Sequence, residues 1–283
     1  MDIAFLNGSF LPKNEIRISP DDRGFLFADG IYEVVRWYKG FFYDMTSHMT
    51  RLKRSMKEIR ISWAEADTFP DIAQQLITAN NLQESPSLVY LQVTRGAAKR
   101  THAFPFPSVT PTVYAFAMSF RPDSITMASG IGVSMQKDIR WSRCDIKSVS
   151  LLPNVLSFQE ARERGNHECI FVRDGLITEG AHSNIFFVIE GVLYTHPESE
   201  NILSGVTRKN VLRLAREAGI RVSETALPES GINEIDEAFI TNTSSEVAPV
   251  ISINGRIVGD GTPGRITTIL QKRFSGEILA MKV

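Results

Sequence analysis

The chain has 283 residues, with 31 Lys plus Arg against 32 Asp plus Glu and 43% hydrophobic residues. That balance allows a sizeable core and excludes general disorder, while a net charge of −1 without a dense basic face excludes an ordinary nucleic-acid binder. No run approaches the roughly 18 apolar residues of a membrane span, the opening MDIAFLNGSFLPKNE has no signal-peptide pattern, and Cys144 and Cys169 are too few for a disulfide framework, so two free thiols in a cytoplasmic protein are expected.

In chain order, Asn7-Gly8 between apolar pieces signals a hairpin. Ile31 to Tyr38, rich in Val, Tyr and Trp, reads as a strand, and Lys39-Gly40 turns the chain into Phe41–Tyr43. Met49, Leu52, Met56 and Ile59 recur at helical spacing, with Ser47 as a cap. A second helix runs from Asp71 to about Ala79, with Thr68 before it as a cap; Ser87–Arg95 and Thr112–Phe120 read as strands. The polar stretch 121–130 marks a domain boundary, giving a small N-terminal domain over 1–120 and a larger one over 121–283. In the second half, strands are expected at 131–136, 168–173, 176–178, 184–189 and 237–241, with a hairpin around Asn254-Gly255. Helices are expected at 154–164, at 207–218 and from about Pro263 onward. Strands and helices mix without alternating as βαβ units, so the class is α+β.

The common catalytic signatures are missing: no G-x-G-x-x-G, no Walker A, no G-x-S-x-G, and no metal-ligand spacing among five His and two Cys. What remains is a set of segments, each of which also fits a plain structural role. Lys147 lies between an Arg-rich strand end (Arg140, Arg143) and an apolar helical approach, a partly buried setting suited to Schiff-base chemistry or simply a surface lysine beside a helix. Glu179, at a strand end in Thr178-Glu179-Gly180, is a carboxylate that could keep a heterocyclic nitrogen protonated, or a solvated turn residue. Ser204-Gly-Val206-Thr207 leads into a helix N-terminus, a phosphate seat or an ordinary capped helix. Thr241-Asn-Thr243-Ser-Ser is a small polar loop, and Arg95 to His102 places cationic groups on a loop as a carboxylate trap requires.

Taken in order, these segments resemble the fold-type-IV pyridoxal 5′-phosphate (PLP) enzymes: D-amino-acid aminotransferases, branched-chain aminotransferases and aminodeoxychorismate lyases. The resemblance runs through R-G-F-L-F-A-D-G-I-Y-E at 23–33, H-M-T-R-L at 48–52, Lys147, T-E-G at 178–180, S-G-V-T-R at 204–208 and T-S-S-E-V at 243–247. It implies a two-domain fold with PLP between the domains. It also implies that Lys147 is the catalytic lysine that holds the cofactor aldehyde and that Glu179 partners the pyridine nitrogen. Arg51, Val206, Thr207 and Thr243 would hold the phosphate, and Leu203 would lie against the ring. The finer match is to D-amino-acid aminotransferases, whose substrate carboxylate is held by counterparts of Tyr32, Arg100 and His102, the last two reaching in from a neighbouring subunit of a homodimer. The implied reaction moves an amino group from a D-amino acid to a 2-oxo acid such as 2-oxoglutarate. The rivals are an L-branched-chain or (R)-amine transaminase, the lyase, and a catalytically silent binding protein. Ala28, Ser204 and Asn242 depart from the pattern at small positions near the cofactor.

Overall fold

A computed structural model of the chain describes residues 2–282. The chain divides into two compact units, one holding residues up to Arg121 together with Ile146–Ser150, the other Pro122–Asp145 with Leu151–Met281.

Among the described residues of the first unit, five antiparallel strands form a sheet in the order β2-β1-β5-β4-β3. They are β1 (Ile3–Leu6), β2 (Ser9–Pro12), β3 (Gly30–Trp37), β4 (Ser87–Thr94) and β5 (Thr112–Ser119). Helices α1 (Arg23–Phe27), α2 (Met45–Glu58) and α3 (Phe69–Ala79) complete the unit. Asn7 and Gly8 make the β1–β2 turn with positive φ at both, as a two-residue hairpin demands. Leu52 and Met56 of α2 are buried against Ile31, Val35, Val89 and Leu91 of the sheet, with Met49 and Ile59 packed at the edge. Full burial of each such side chain stabilises by roughly 1.5–3 kcal/mol relative to exposure. The caps differ from the expected ones. Asp44, in the left-handed region, caps α2 by accepting from Ser47 N, so Ser47 is a capped residue rather than the cap. Thr68 makes no capping bond; its hydroxyl donates to Glu65 O, and Pro70 in the first turn removes an N–H that would otherwise need a partner.

The segment Ile146–Ser150, assigned to the second domain from sequence, belongs to the first unit because its backbone bonds to β3. Tyr32 N donates to Lys147 O at 3.0 Å, and Val149 N donates to Gly30 O at 3.0 Å. Lys147 N in turn donates to Ser55 Oγ of α2 at 3.3 Å.

Among the described residues of the second unit, nine strands form a mixed sheet, eight of them in the order β11-β10-β9-β12-β13-β6-β7-β8, with β14 beside β13. These are β6 (Ile131–Lys137), β7 (Glu168–Arg173), β8 (Leu176–Gly180), β9 (Asn184–Ile189), β10 (Val192–Thr195), β11 (Arg221–Ser223), β12 (Glu237–Asn242), β13 (Glu246–Ile253) and β14 (Arg256–Ile257). The helices are α4 (Ser124–Ser129), α5 (Leu152–Glu163), α6 (Val206–Glu217) and α7 (Arg265–Ala280). The polar stretch at 121–130 is therefore partly helical: Asp123 accepts from Thr126 N and starts α4. Ile131, Val133, Ile170, Ile185, Phe187, Ile240 and Val250 bury one face of the sheet. The mixture of parallel and antiparallel pairs without repeated βαβ units is the α+β class. Among the described residues no helix is long and apolar enough to cross a membrane, and both cysteines are free and buried.

Candidate active site

Lys147 is partly buried, and its Nζ stands 4.2 Å from the ring centroid of Tyr32, a cation–π contact. Tyr32 stacks on Tyr90 at 5.8 Å, and Tyr90 donates to Gln92 Oε1 at 2.8 Å, so the ring that carries Lys147 is itself held. Tyr32 and Lys147 are thus brought together by the same strand pairing that seats the 146–150 segment.

Arg51 lies on α2. Its guanidinium forks onto Glu33, Nε to Oε1 at 2.7 Å and Nη2 to Oε2 at 2.9 Å, and His48 donates from Nδ1 to Glu33 Oε2 at 2.9 Å. All three are buried. Burial alone would raise the Glu33 carboxyl, but Arg51 and His48 hold it well below the usual carboxylate range. Burial pushes the His48 ring down, with Glu33 opposing, so at neutral pH its Nδ1–H is the donor of a neutral imidazole. The trio fixes Arg51 in one direction, the preorganisation that an anion-binding guanidinium needs.

Arg100 and His102 are exposed on the loop after β4 and converge on Phe27: the Arg100 guanidinium lies 5.1 Å from its ring centroid, and the His102 ring 5.6 Å. The loop is fastened from beneath. Arg23 donates to Thr101 O at 2.7 Å and to Asp29 at 2.8 Å, and Arg95 forks onto Asp29 at 2.7 and 2.9 Å. Arg95 is therefore a fastening of the loop, not part of a carboxylate trap. The structure places Arg100 and His102 beside the same Phe27 ring, and Tyr32 beside Lys147. The helix that presents Phe27 ends on Ala28 at φ 55°, the left-handed conformation that glycine adopts without strain. That is the physical reason a glycine suits this turn better.

In the second unit, Glu179 is the last residue but one of β8 and is 4% exposed, not a solvated turn residue. Oε1 accepts from Arg140 Nη1 at 2.6 Å; Oε2 accepts from Asn184 Nδ2 at 2.9 Å and from Leu203 N at 3.0 Å. Arg140 also grips Asp138, Nε to Oδ1 at 3.0 Å and Nη2 to Oδ2 at 2.9 Å, and lies over the Phe171 ring at 4.4 Å. Burial pushes the Glu179 carboxyl up to about 7, against the pull of Arg140. It is a carboxylate poised to hold or release a proton near neutrality.

Leu203 reaches this cluster through its backbone: its N–H bonds Glu179 and its carbonyl accepts from Asn184 at 2.9 Å. Gly205, two residues on, is the N-cap of α6 and has ordinary φ, yet a Cβ there would stand 2.0 Å from Asn184 Oδ1. Glycine is required by close approach, not by conformation. No side chain caps α6, so the first-turn N–H groups at Val206 and Thr207 remain directed outward with the positive end of the helix dipole. Thr243 sits in the β12–β13 turn, which Asn242 closes by accepting from Ser245 N at 2.6 Å and from Ser244 Oγ at 3.0 Å. Asn242 is thus accounted for as a turn-forming residue.

Residues 30–253 match the family described as amino-transferase class IV. The chain belongs to the class IV aminotransferases. This aminotransferase is 39% identical over 276 residues to a D-alanine aminotransferase of Staphylococcus haemolyticus, covering 97% of each chain. It is 39% identical over 282 residues to one of Bacillus licheniformis, covering 99% of this chain and 98% of that one. Among solved structures, it superposes on a branched-chain amino acid aminotransferase of Escherichia coli with a TM-score of 0.90 at 26% identity, over 97% of this chain and 94% of that one. Its fold is also that of the branched-chain amino acid aminotransferase from Thermobaculum terrenum in its PLP form, with a TM-score of 0.85 at 23% identity over 98% and 94% of the two chains.

The roles of Arg140, Asn184, Glu33 and His48 in this aminotransferase are not assigned by the sequence alone. Glu33 carried a usable signal: it occupies an inward position between Ile31 and Val35 on a strand whose buried face is otherwise apolar. A carboxylate there needs a buried cation. Asn184 carried little: besides Glu179, five residues before it, its contacts are with Leu203, 19 residues away, and with a glycine whose φ is unremarkable.

Proposed function

We propose that this chain uses PLP to transfer the amino group of D-amino acids, such as D-alanine, to 2-oxo acids such as 2-oxoglutarate. The observation that carries the cofactor reading is Glu179, a buried carboxyl backed by Arg140 and poised near neutrality. The residues present fit the group in kind: a primary amine at Lys147 for the aldehyde, a buried acid at Glu179 for the ring nitrogen, and an uncapped helix N-terminus with Thr207 for the phosphate. PLP, when bound, supplies an electron sink for the pair left on the substrate Cα.

In this reading Lys147 would hold the cofactor aldehyde and would take up the proton that leaves the substrate Cα. Glu179 keeps the ring nitrogen protonated, with Arg140 and Asn184 fixing its two oxygens. Arg51, held by Glu33 and His48, takes the phosphate together with Thr207, Thr243 and the Val206 N–H, and Leu203 lies against the ring. Tyr32 reads the substrate carboxylate with Arg100 and His102, the latter two supplied by the second copy in a homodimer. Holding the carboxylate on one side presents one enantiomer's Cα–H to Lys147, because the breaking bond must stand perpendicular to the ring. The D-preference draws on the D-alanine aminotransferase relatives. Two buried free thiols accord with work in a reducing cytoplasm.

The similarity to the E. coli branched-chain enzyme favours a second reading, transfer from L-branched-chain donors. Incubation with 2-oxoglutarate and either D-alanine or L-leucine decides between them. Pyruvate and D-glutamate from the first mixture are expected; turnover of L-leucine alone would replace the proposal by its rival. Within the proposal, Arg100→Ala lowers kcat/KM for amino acids by roughly 10- to 100-fold, the loss of one charge-assisted hydrogen bond. Simple amines, which have no carboxylate, lose little. Equal losses for both donor types would remove Arg100 from the substrate site.

A further inference from the structure

Glu168, the first residue of β7, has 0% exposure, and among the described residues its one ion-pair partner is His182. A buried carboxylate without a guanidinium or ammonium must be compensated by hydrogen bonds. Glu168 collects three, and an ion-pair contact besides. Oε1 accepts from Cys169 N at 2.9 Å and Ala181 N at 3.2 Å; Oε2 accepts from Ser183 Oγ at 2.7 Å and stands 2.6 Å from His182 Nδ1.

Two of those donors and the ion-pair contact belong to Ala181, Ser183 and His182, the turn that joins Glu179-Gly180 to Asn184. The turn is packed onto the carboxylate: a Cβ at Gly180 would stand 2.1 Å from Ser183 Oγ and 3.0 Å from Glu168 Oε2. It is closed by Gly180 N donating to Ser183 O at 2.7 Å. From outside, Asn154 Nδ2 donates to Ala181 O at 2.7 Å, and Phe158 meets the His182 ring edge-on at 5.0 Å. Both ends of the turn lead to one place, because Asn184 Nδ2 donates back to Glu179 Oε2.

We propose that Glu168 is a positioning residue, which with His182 and Ser183 sets the turn that aims Glu179 and Asn184, and so fixes the carboxylate that meets the cofactor's ring nitrogen. This rests on the reading of Glu179 as the partner of that nitrogen. Nothing about turnover requires Glu168 to touch cofactor or substrate; its effect passes through Glu179.

The test is a double-mutant cycle on the apoprotein, with PLP uptake followed by the absorbance of the lysine-bound cofactor. Glu168→Gln keeps the shape but replaces one acceptor oxygen by a donor. We expect it to weaken PLP binding by about tenfold or more in the native background and by less than about twofold in a Glu179→Gln background, since interacting groups are non-additive. Equal losses in both backgrounds, or no loss in the native one, would overturn the proposal. Should Glu168→Gln fail to fold, Ser183→Ala, which leaves the carboxylate in place, goes through the same cycle. A loss of about threefold confined to the Glu179-containing protein and restored by Ser183→Thr supports the proposal; a background-independent loss, or no loss, sinks it. If the unsubstituted protein takes up no PLP at all, the cofactor reading itself has failed, which is a different pattern from a native protein that binds and a Glu168 variant that binds as well.

Discussion

Lys147→Ala abolishes transamination and the long-wavelength absorbance of the lysine-bound cofactor. The proton shuttle alone accounts for roughly 10²–10⁴-fold in rate, and the covalent attachment of the cofactor is lost with it. The structure makes this a clean experiment. The segment is held by backbone bonds, Tyr32 N to Lys147 O and Lys147 N to Ser55 Oγ, that any residue at 147 can make. The contact that goes is the one between the ammonium and the Tyr32 ring, worth roughly 0.5–1 kcal/mol at a partly exposed site. Unfolding by denaturant should therefore change little while activity disappears. Residual turnover within tenfold of the native protein would remove Lys147 from the centre of the chemistry, whatever the family.

How far the chain could be read before its structure follows from the range of the interactions involved. The α2 stripe of Met49, Leu52 and Met56 and the turns at Asn7-Gly8 and Asn254-Gly255 are local signals, and each lies where the structure has the corresponding element. The α2 cap was misassigned because Asp44 caps from a left-handed backbone, a state that composition does not announce. Strands β10 and β11 escaped because they are short, and the pair is parallel, joined by a connection that includes a whole helix. The candidate site shows the same division. Lys147 and Glu179 are named by their segments, but what makes them chemically capable is non-local: Tyr32 lies far from Lys147 in sequence, on β3, and Arg140 lies 39 positions from Glu179. Arg95 shows the reverse error, a loop cation that looked available and is spent on Asp29.

The stability counterpart of the catalytic prediction lies at Arg140. Its side chain is 5% exposed, and the guanidinium bridges two buried carboxylates, Glu179 at 2.6 Å and Asp138 at 2.9 Å. Arg140→Met fills similar volume but leaves Glu179 with only neutral donors, and Asp138 with Arg173 at 3.0 Å. Removing one partner of a buried ion pair costs about 3–5 kcal/mol, and that cost depends on pH. In the native apoprotein the Asp138 carboxyl, which burial would raise, is held below the usual range by Arg140, so its contribution is present above the unfolded value and is lost as pH falls. Glu179 works the other way. Burial has raised it to about 7, so the folded state is favoured below the unfolded value and loses stability as pH climbs to about 7, then levels off. Without Arg140 both carboxyls shift upward: Asp138, left with Arg173, loses part of its stabilising contribution, and Glu179 opposes folding more strongly as pH rises. The deficit of Arg140→Met, measured by urea unfolding of the apoprotein, should be small near pH 4 and reach its full size above pH 7. An equal deficit at both ends would mean that Arg140 acts by packing against Phe171 and not by charge. The same shift carries a functional consequence. A Glu179 that is neutral at pH 7 no longer favours a protonated ring nitrogen, so cofactor affinity should fall in the variant as well, most of all at neutral pH and least at high pH, where the carboxyl is ionised again.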